Sequence, residues 1–232
     1  MKNIVIFTGA GVSAESGIAT FRDSDGLWAN YSIEDVCTPQ ALARNRGGVI
    51  DFYNMRRREV LSKKPNDAHL ALKRLENHFH TTIVTQNVDD LHERAGSHNV
   101  IHLHGEIGKL CSSRDTSKTV KIEGWEQRLD ERHADGSLLR PFIVFFGEQV
   151  PMLEEAIDIV QKADIFVVIG TSLQVYPAAS LLCYLREAVP VYVVDPKAPP
   201  LSLRNNPIVV IRQTAAKGVP ELVNGLIEGS LA

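Results

Sequence analysis

The sequence predicts an α/β protein, a doubly wound parallel sheet with a small second lobe made from two insertions. Three observations predict it. Short runs of Ile, Val and Phe recur along the chain and are apolar on both faces, as strands covered on both sides must be. Helical patterns alternate with several of these runs, the rhythm of a parallel sheet with crossover helices. The first run breaks directly into Gly9-x-Gly11-x-x-Ala14, a strand-to-helix turn. Its glycines allow a tight turn and close approach of a pyrophosphate, and its small third residue lets a helix settle on the strand. Such a start is Rossmann-like. However, the acidic residue that ordinarily follows by about 20 positions is not recognisable. Gly17 cuts the helix short, and Thr20 to Trp28 reads as a polar loop.

In chain order the strand runs are 3–8, 82–85, 100–104, 142–146, 165–169, 191–194 and 208–211. Helical patterns cover 66–79, 151–163, 177–188 and 219–227. Two stretches break the rhythm: 31–64 is mainly helical, and 109–140 is polar, charged and weakly periodic. Together they form the expected small lobe, with the large lobe made from 1–30, 65–108 and 141–232 of a single domain. At 232 residues the chain suits one such domain. A net charge of −3 with 23% charged residues gives no basic face for nucleic acid or a membrane surface. No apolar run is long enough to span a bilayer, and the four apolar residues after Lys2 are too few for a signal-peptide core. Three scattered cysteines make no disulfide framework, so a cytoplasmic location is expected.

Polar residues follow the strand runs: Thr8 before the glycine turn, Gln86-Asn87-Val88-Asp89 after Thr85, His104-Gly105 after Leu103, Gly170-Thr171-Ser172 after Ile169, and Asp195 after Val194. Ligands of open parallel sheets bind at the carboxyl ends of the strands, so a mononucleotide or dinucleotide site is expected there. His104 is the candidate general base, since imidazole titrates near neutrality. His102, two residues earlier, is expected on the same face, and spacing alone does not separate the two. His92 reads as structural.

The run GAGVSAESGIATFRDSDGLW resembles the cofactor loop of the sirtuins, NAD-dependent protein lysine deacylases. Thr85-Gln86-Asn87-Val88-Asp89, Leu103-His104-Gly105, Phe146-Gly147-Glu148, Gly170-Thr171-Ser172 and Val175-Tyr176-Pro177-Ala178-Ala179 resemble further motifs of that family, in its order. The resemblance implies NAD as co-substrate and the acylated lysine of a protein as partner, with His104, Asn87 and Gln86 catalytic. It implies cofactor contacts from Gly9, Ala10, Gly11, Ser13, Phe21, Arg22, Gln86, Asn87, Val88, Asp89, Gly170, Thr171, Ser172, Val194, Asp195 and Ala215. Phe146, Gly147 and Val175 are implied at the acyl-lysine site. The alternatives are an NAD-cleaving ADP-ribosyltransferase or a nucleotide-sensing module without turnover.

Tyr53 and Arg56 lie three apart, on one helix face. Tyr53-x-x-Arg56 resembles the signature of the sirtuins that remove acidic acyl groups, which implies succinyl- or malonyl-lysine, with acetyl-lysine also accepted. Arg57 and Arg58 read as a solvated basic face. Cys37 stands where that subgroup usually carries alanine, and Val193 where the family often has asparagine. The family's zinc cysteines reduce to Cys111, so zinc is not expected. Cys111, His133 and Asp135 are the remaining donors, and packing around Leu110, Ile122, Trp125 and Leu129 is expected to hold the lobe instead.

Overall fold

A computed structural model describes residues 1–20, 31–203 and 205–230, so Phe21 and Arg22 lie outside the described residues. The strands in chain order are β1 (Asn3–Thr8), β2 (His80–Thr85), β3 (Val100–His102), β4 (Gly105–Ser112), β5 (Thr119–Lys121), β6 (Leu139–Ile143), β7 (Ile165–Ile169), β8 (Val191–Val194) and β9 (Ile208–Ile211). The helices are α1 (Gly11–Ala14), α2 (Ile33–Val36), α3 (Pro39–Arg44), α4 (Arg46–Ser62), α5 (Asp67–Leu75), α6 (Leu91–Arg94), α7 (Leu153–Val160) and α8 (Ala215–Glu228), with a 3₁₀ helix at Ala178–Tyr184.

Six parallel strands form one sheet in the order β3-β2-β1-β7-β8-β9. The order reverses beside β1, so the crevice between the ends of β1 and β7 is the switch point where such sheets bind ligands. Alternation along the strands covers both faces. Ile4, Ile6, Val167 and Ile169 pack with Leu72, Leu75, Val219 and Leu222 of α5 and α8. Val5, Phe7, Phe166 and Val168 pack with Ala156 and Val160 of α7 and with Leu181 and Leu182 of the 3₁₀ turn. Burying one Leu, Ile or Phe side chain contributes about 1.5–3 kcal/mol, so these two layers carry the large lobe.

The second sheet is antiparallel, in the order β5-β4-β6. Here the structure departs from the expected strands. The run at 142–146 is not part of the parallel sheet. β6 ends at Ile143, and the following amides turn elsewhere: Val144 N–H donates to the His104 carbonyl at 3.0 Å and Phe146 N–H to the Cys37 carbonyl at 3.0 Å. The expected lobe limits at 108/109 and 140/141 consequently fall inside β4 and β6. The helix expected over 177–188 tightens to a 3₁₀ turn. Its buried residues Ala178 and Leu181 stand three apart, matching three residues per turn. The C-terminal helix starts four residues before its apolar pattern at Val219. The Glu15 carboxylate accepts from Ala216 N–H at 2.6 Å and from the Thr214 hydroxyl at 2.9 Å, a cap from a distant segment.

Arg57 is not on a solvated face. It is 1% exposed, donating from Nε to the Ile107 carbonyl at 2.7 Å and from Nη1 to Asn54 Oδ1 and the Trp125 carbonyl, both at 2.8 Å. It thereby ties α4 to the small sheet. Arg58 is exposed and lies over the Trp125 ring at 5.3 Å. Trp125 and Leu129 are themselves 39% and 53% exposed, so they do not form the lobe's core. That role falls to Leu110 and to a third apolar cluster of Val36, Phe52, Tyr53, Ile107, Ile143 and Phe145, which joins lobe to sheet.

Candidate active site

The ends of β1 and β7 meet through glycine. Gly170 has φ +59°, and a Cβ there would lie 2.5 Å from the Gly11 carbonyl carbon. A Cβ on Gly11 would lie 2.6 Å from Gly170 Cα. The spacing of these glycines is therefore dictated first by the contact of two turns, which sets the floor of a crevice. That crevice opens into a cavity of about 660 Å³, within the range of sites that enclose a cofactor-sized ligand.

The cavity collects most of the residues singled out from the sequence. Gly9, Ala10, Gly11, Gly170, Thr171, Ser172, Val194, Asp195 and Ala215 line one end. Gln86, Asn87, Val88 and His104 line the middle, and Tyr53, Arg56, Phe146, Gly147 and Val175 the other end. Ser13 and Asp89 are 1% and 4% exposed and stand behind the wall. Asp89 Oδ2 accepts the Ser13 hydroxyl at 3.1 Å, and Ser13 Oγ accepts Asn87 Nδ2–H at 3.2 Å. Their reach into the cavity is through the Asn87 amide that they orient. Burial raises the Asp89 pKa, opposed by the Leu91 amide and the Ser13 hydroxyl.

His104 follows the end of β3, so strand alternation with His102 does not apply. Gly105 turns the chain at φ +84° with its Cα against the Phe142 carbonyl, a Cβ there falling 2.1 Å from that oxygen. The two histidines hang from successive carbonyls. His104 Nδ1 bonds the Gln86 carbonyl at 3.0 Å and His102 Nδ1 bonds the Asn87 carbonyl at 2.9 Å. A carbonyl only accepts, so the proton sits on Nδ1 of each ring. That leaves the Nε2 lone pair of His104 as the ring's free basic site. Burial lowers the His104 pKa, the Gln86 carbonyl partly opposing, which keeps the ring neutral near pH 7. His102 differs: its Nε2 pairs with Glu93 Oε1 at 2.6 Å. Burial opposes its charge, but the hydrogen bond and charge of Glu93 outweigh that and raise its pKa. His102 is thus tied into an ion pair, and His104 is the histidine facing the cavity.

Beneath the site, Thr8 Oγ1 donates to Thr85 Oγ1 at 2.8 Å, and His92 Nε2 lies 3.1 Å from Thr8. Thr85 Oγ1 in turn receives the Asn87 amide at 3.0 Å. With the Thr8 proton given to Thr85, His92 is the donor to Thr8, the structural role expected of it. Gln86 Nε2–H donates to Thr171 Oγ1 at 2.8 Å, joining the middle of the cavity to the β7 turn.

The other end is largely apolar, with Tyr53, Arg56 and Glu148 as polar exceptions. Tyr53 stacks on Phe145 at 5.9 Å and donates its hydroxyl to Cys37 Sγ at 3.3 Å. Arg56 pairs with Glu59, and burial lowers its pKa, the Glu59 charge opposing. The loop of Phe146 and Gly147 is clamped by Glu148. This carboxylate takes Arg140 Nη1 at 2.6 Å, Arg140 Nη2 at 3.0 Å and the Phe145 amide at 2.8 Å. Sequence reading did not single out Glu15, Phe52, Phe145, Gln174 or Lys197, which also line the cavity. Glu15 and Lys197 lie on polar stretches whose place in space only the fold supplies.

Cys111 and Asp135, donors left from the zinc set, are engaged within the protein. The Cys111 thiol faces the Pro141 carbonyl at 3.8 Å, and burial pushes its pKa up to about 11. Asp135 is held by the Ser112 hydroxyl at 2.7 Å and the Ser137 amide at 2.9 Å. Among the described residues no group of three or more His, Cys, Asp or Glu is placed to hold a metal ion.

Residues 9–177 match the profile of the Sir2 family. A curated relative from Bacteroides thetaiotaomicron, named NAD-dependent protein deacylase, is 53% identical over 232 residues, covering 98% of this chain and 99% of its own. One of the same name from Helicobacter pylori is 48% identical, covering 98% and 99%. A crystal structure of a Sir2 homologue–NAD complex superposes with a TM-score of 0.88 at 40% identity, over all of this chain and 91% of that one. A structure of Sir2 bound to acetylated peptide gives a TM-score of 0.77 at 29% identity, covering 99% and 94%. On this agreement of profile, sequence and fold, the chain belongs to the Sir2 family.

Proposed function

We propose that this chain, an NAD-dependent protein deacylase, removes acidic acyl groups, succinyl and malonyl, from protein lysine in preference to acetyl. The observation that carries the reading is the continuity of one cavity from the glycine turn, past His104, to Tyr53 and Arg56. NAD fits the crevice at Gly9–Gly11 and Gly170–Ser172, where glycines in close contact keep the floor clear of side chains. When bound it supplies a ribose carbon that accepts the acyl group as nicotinamide leaves, giving acylated ADP-ribose.

The chain's own residues then have separable tasks. Asn87, oriented by Ser13 and Asp89, holds the nicotinamide end. Gln86 fixes the wall through Thr171. His104 Nε2 accepts a proton from a ribose hydroxyl, and the Gln86 carbonyl on Nδ1–H steadies the imidazolium that forms. Phe146, Gly147 and Val175 flank the lysine stem, excluding water. At the far end a guanidinium and a phenol can bind a carboxylate, a charge-assisted pairing worth about 1.5–3 kcal/mol. The lobe is read as standing without zinc. The three free cysteines agree with a reducing, cytoplasmic setting. Among the described residues no helix is long and apolar enough to cross a membrane.

Nicotinamide release measured with and without acylated peptide separates deacylation from plain NAD cleavage and from nucleotide sensing. Peptide-dependent release is expected. Comparing succinyl and acetyl peptides on the parent and on Arg56→Met tests the acyl preference. The succinyl kcat/KM is expected to fall by about tenfold to a hundredfold, the acetyl value much less. Equal losses on both peptides would remove Arg56 from acyl recognition.

A further inference from the structure

Tyr53 and Arg56 meet the cavity with partners already in place, and the partner of Arg56 comes from outside. Glu59, one helical turn further along α4, does not line the cavity. It lines a separate surface groove with Asp51, Arg58 and Trp125. Its side chain is 29% exposed, against 5% for that of Arg56. A buried cation is therefore neutralised along the helix by a carboxylate that keeps one side in water, the buried Asp89 carboxyl acting on it from further off. Glu59 bonds Nη1 alone, and the other N–H groups of Arg56 have no hydrogen-bond partner among the described residues.

We propose that Glu59 is a specificity-determining residue: it is the resident counter-ion of Arg56, against which an acidic acyl group has to compete. The inference rests on the acidic-acyl reading above. An incoming carboxylate can reach the unused N–H groups, but it then shares one guanidinium with a second negative charge. Like charges a few ångströms apart in a poorly hydrated setting repel strongly. A neutral acetyl group meets no such repulsion. Glu59 thus narrows the margin between acidic and neutral acyl groups, while an unscreened Arg56 would widen it.

Glu59→Gln tests this cleanly, because Gln keeps the side-chain length and an acceptor for Nη1–H and removes only the charge. The ratio of succinyl to acetyl kcat/KM is expected to rise by about fivefold to tenfold, mainly through a lower KM for the succinyl peptide. Glu59→Ala, which also removes the acceptor, is expected to move the ratio the same way. Arg56→Met is run beside them. If Arg56→Met lowers the ratio while both Glu59 variants leave it flat or lower it, Glu59 merely orients the guanidinium and the proposal is overturned. If Arg56→Met leaves the ratio unchanged, the acidic-acyl reading itself falls, and this inference with it.

Discussion

The sheet end of the cavity and the lobe end are built from different materials. At the sheet end the positions come mainly from backbone: two glycine turns in contact and two carbonyls holding two histidines, with the side-chain hydroxyls of Thr8 and Thr85 bonded to each other beneath them. These groups have few other arrangements open to them. At the lobe end the polar atoms rest on side-chain partners that a ligand can displace, Cys37 for Tyr53 and Glu59 for Arg56. Thiol sulfur is a weak acceptor, and a carboxylate in reach would outcompete it. On the proposed reading, the histidine is positioned by main chain, and the choice of acyl group rests on replaceable side-chain contacts.

This contrast can be broken at several points. The largest effect is expected at His104. His104→Ala should lower kcat by about 10²–10⁴ with the fold intact by circular dichroism, and unchanged turnover would remove it as the base. Next comes acid sensitivity of the sheet end. Burial lowers the pKa of His69 to about 4 and holds that of His92 well below the ordinary value. Groups with depressed histidine pKa values stabilise fully above the unfolded value near 6.5, and lose stability as pH falls towards the folded one. His69 alone should cost about 2 kcal/mol between pH 6.5 and 5. His102, with its raised pKa, acts in the opposite sense, its contribution fading as pH rises through its folded value. Denaturant titrations of the parent and His69→Gln at both pH values isolate the His69 part. A parent and variant with equal slopes would refute it.

The lobe end should give smaller changes. Ser112 is fully buried, donating to Asp135, bonding Ser137 at 2.7 Å and accepting the Arg114 amide at 3.1 Å. Ser112→Ala should cost about 1–3 kcal/mol, or a few degrees of Tm for each kcal/mol. The smallest expected effect is that of a chelator, which should leave Tm unchanged. A marked fall would show that a metal holds the lobe.

The parallel sheet was legible because buried strands write themselves as short apolar runs, as 3–8 and 165–169 do. The cavity-lining turns were legible because glycine and small polar residues follow those runs directly. What depends on distant segments was not. Nothing in Ala215–Gly218 announces a helix start, since its cap is Glu15, far back in the chain. Arg57 looks like its neighbour Arg58 until Ile107 and Trp125 arrive to receive it. His102 and His104 have the same spacing signature as any strand pair, and only Glu93 and the end of β3 distinguish them.

The paired carbonyls of Gln86 and Asn87 carry one more consequence. The carbonyl that holds His104 and the residue proposed to hold the nicotinamide end sit in adjacent peptide units, so a shift of either unit tilts the other. On the proposed roles, a substitution that shifts the Asn87 backbone is expected also to misalign the imidazole, so that nicotinamide cleavage and acyl transfer change together at this corner.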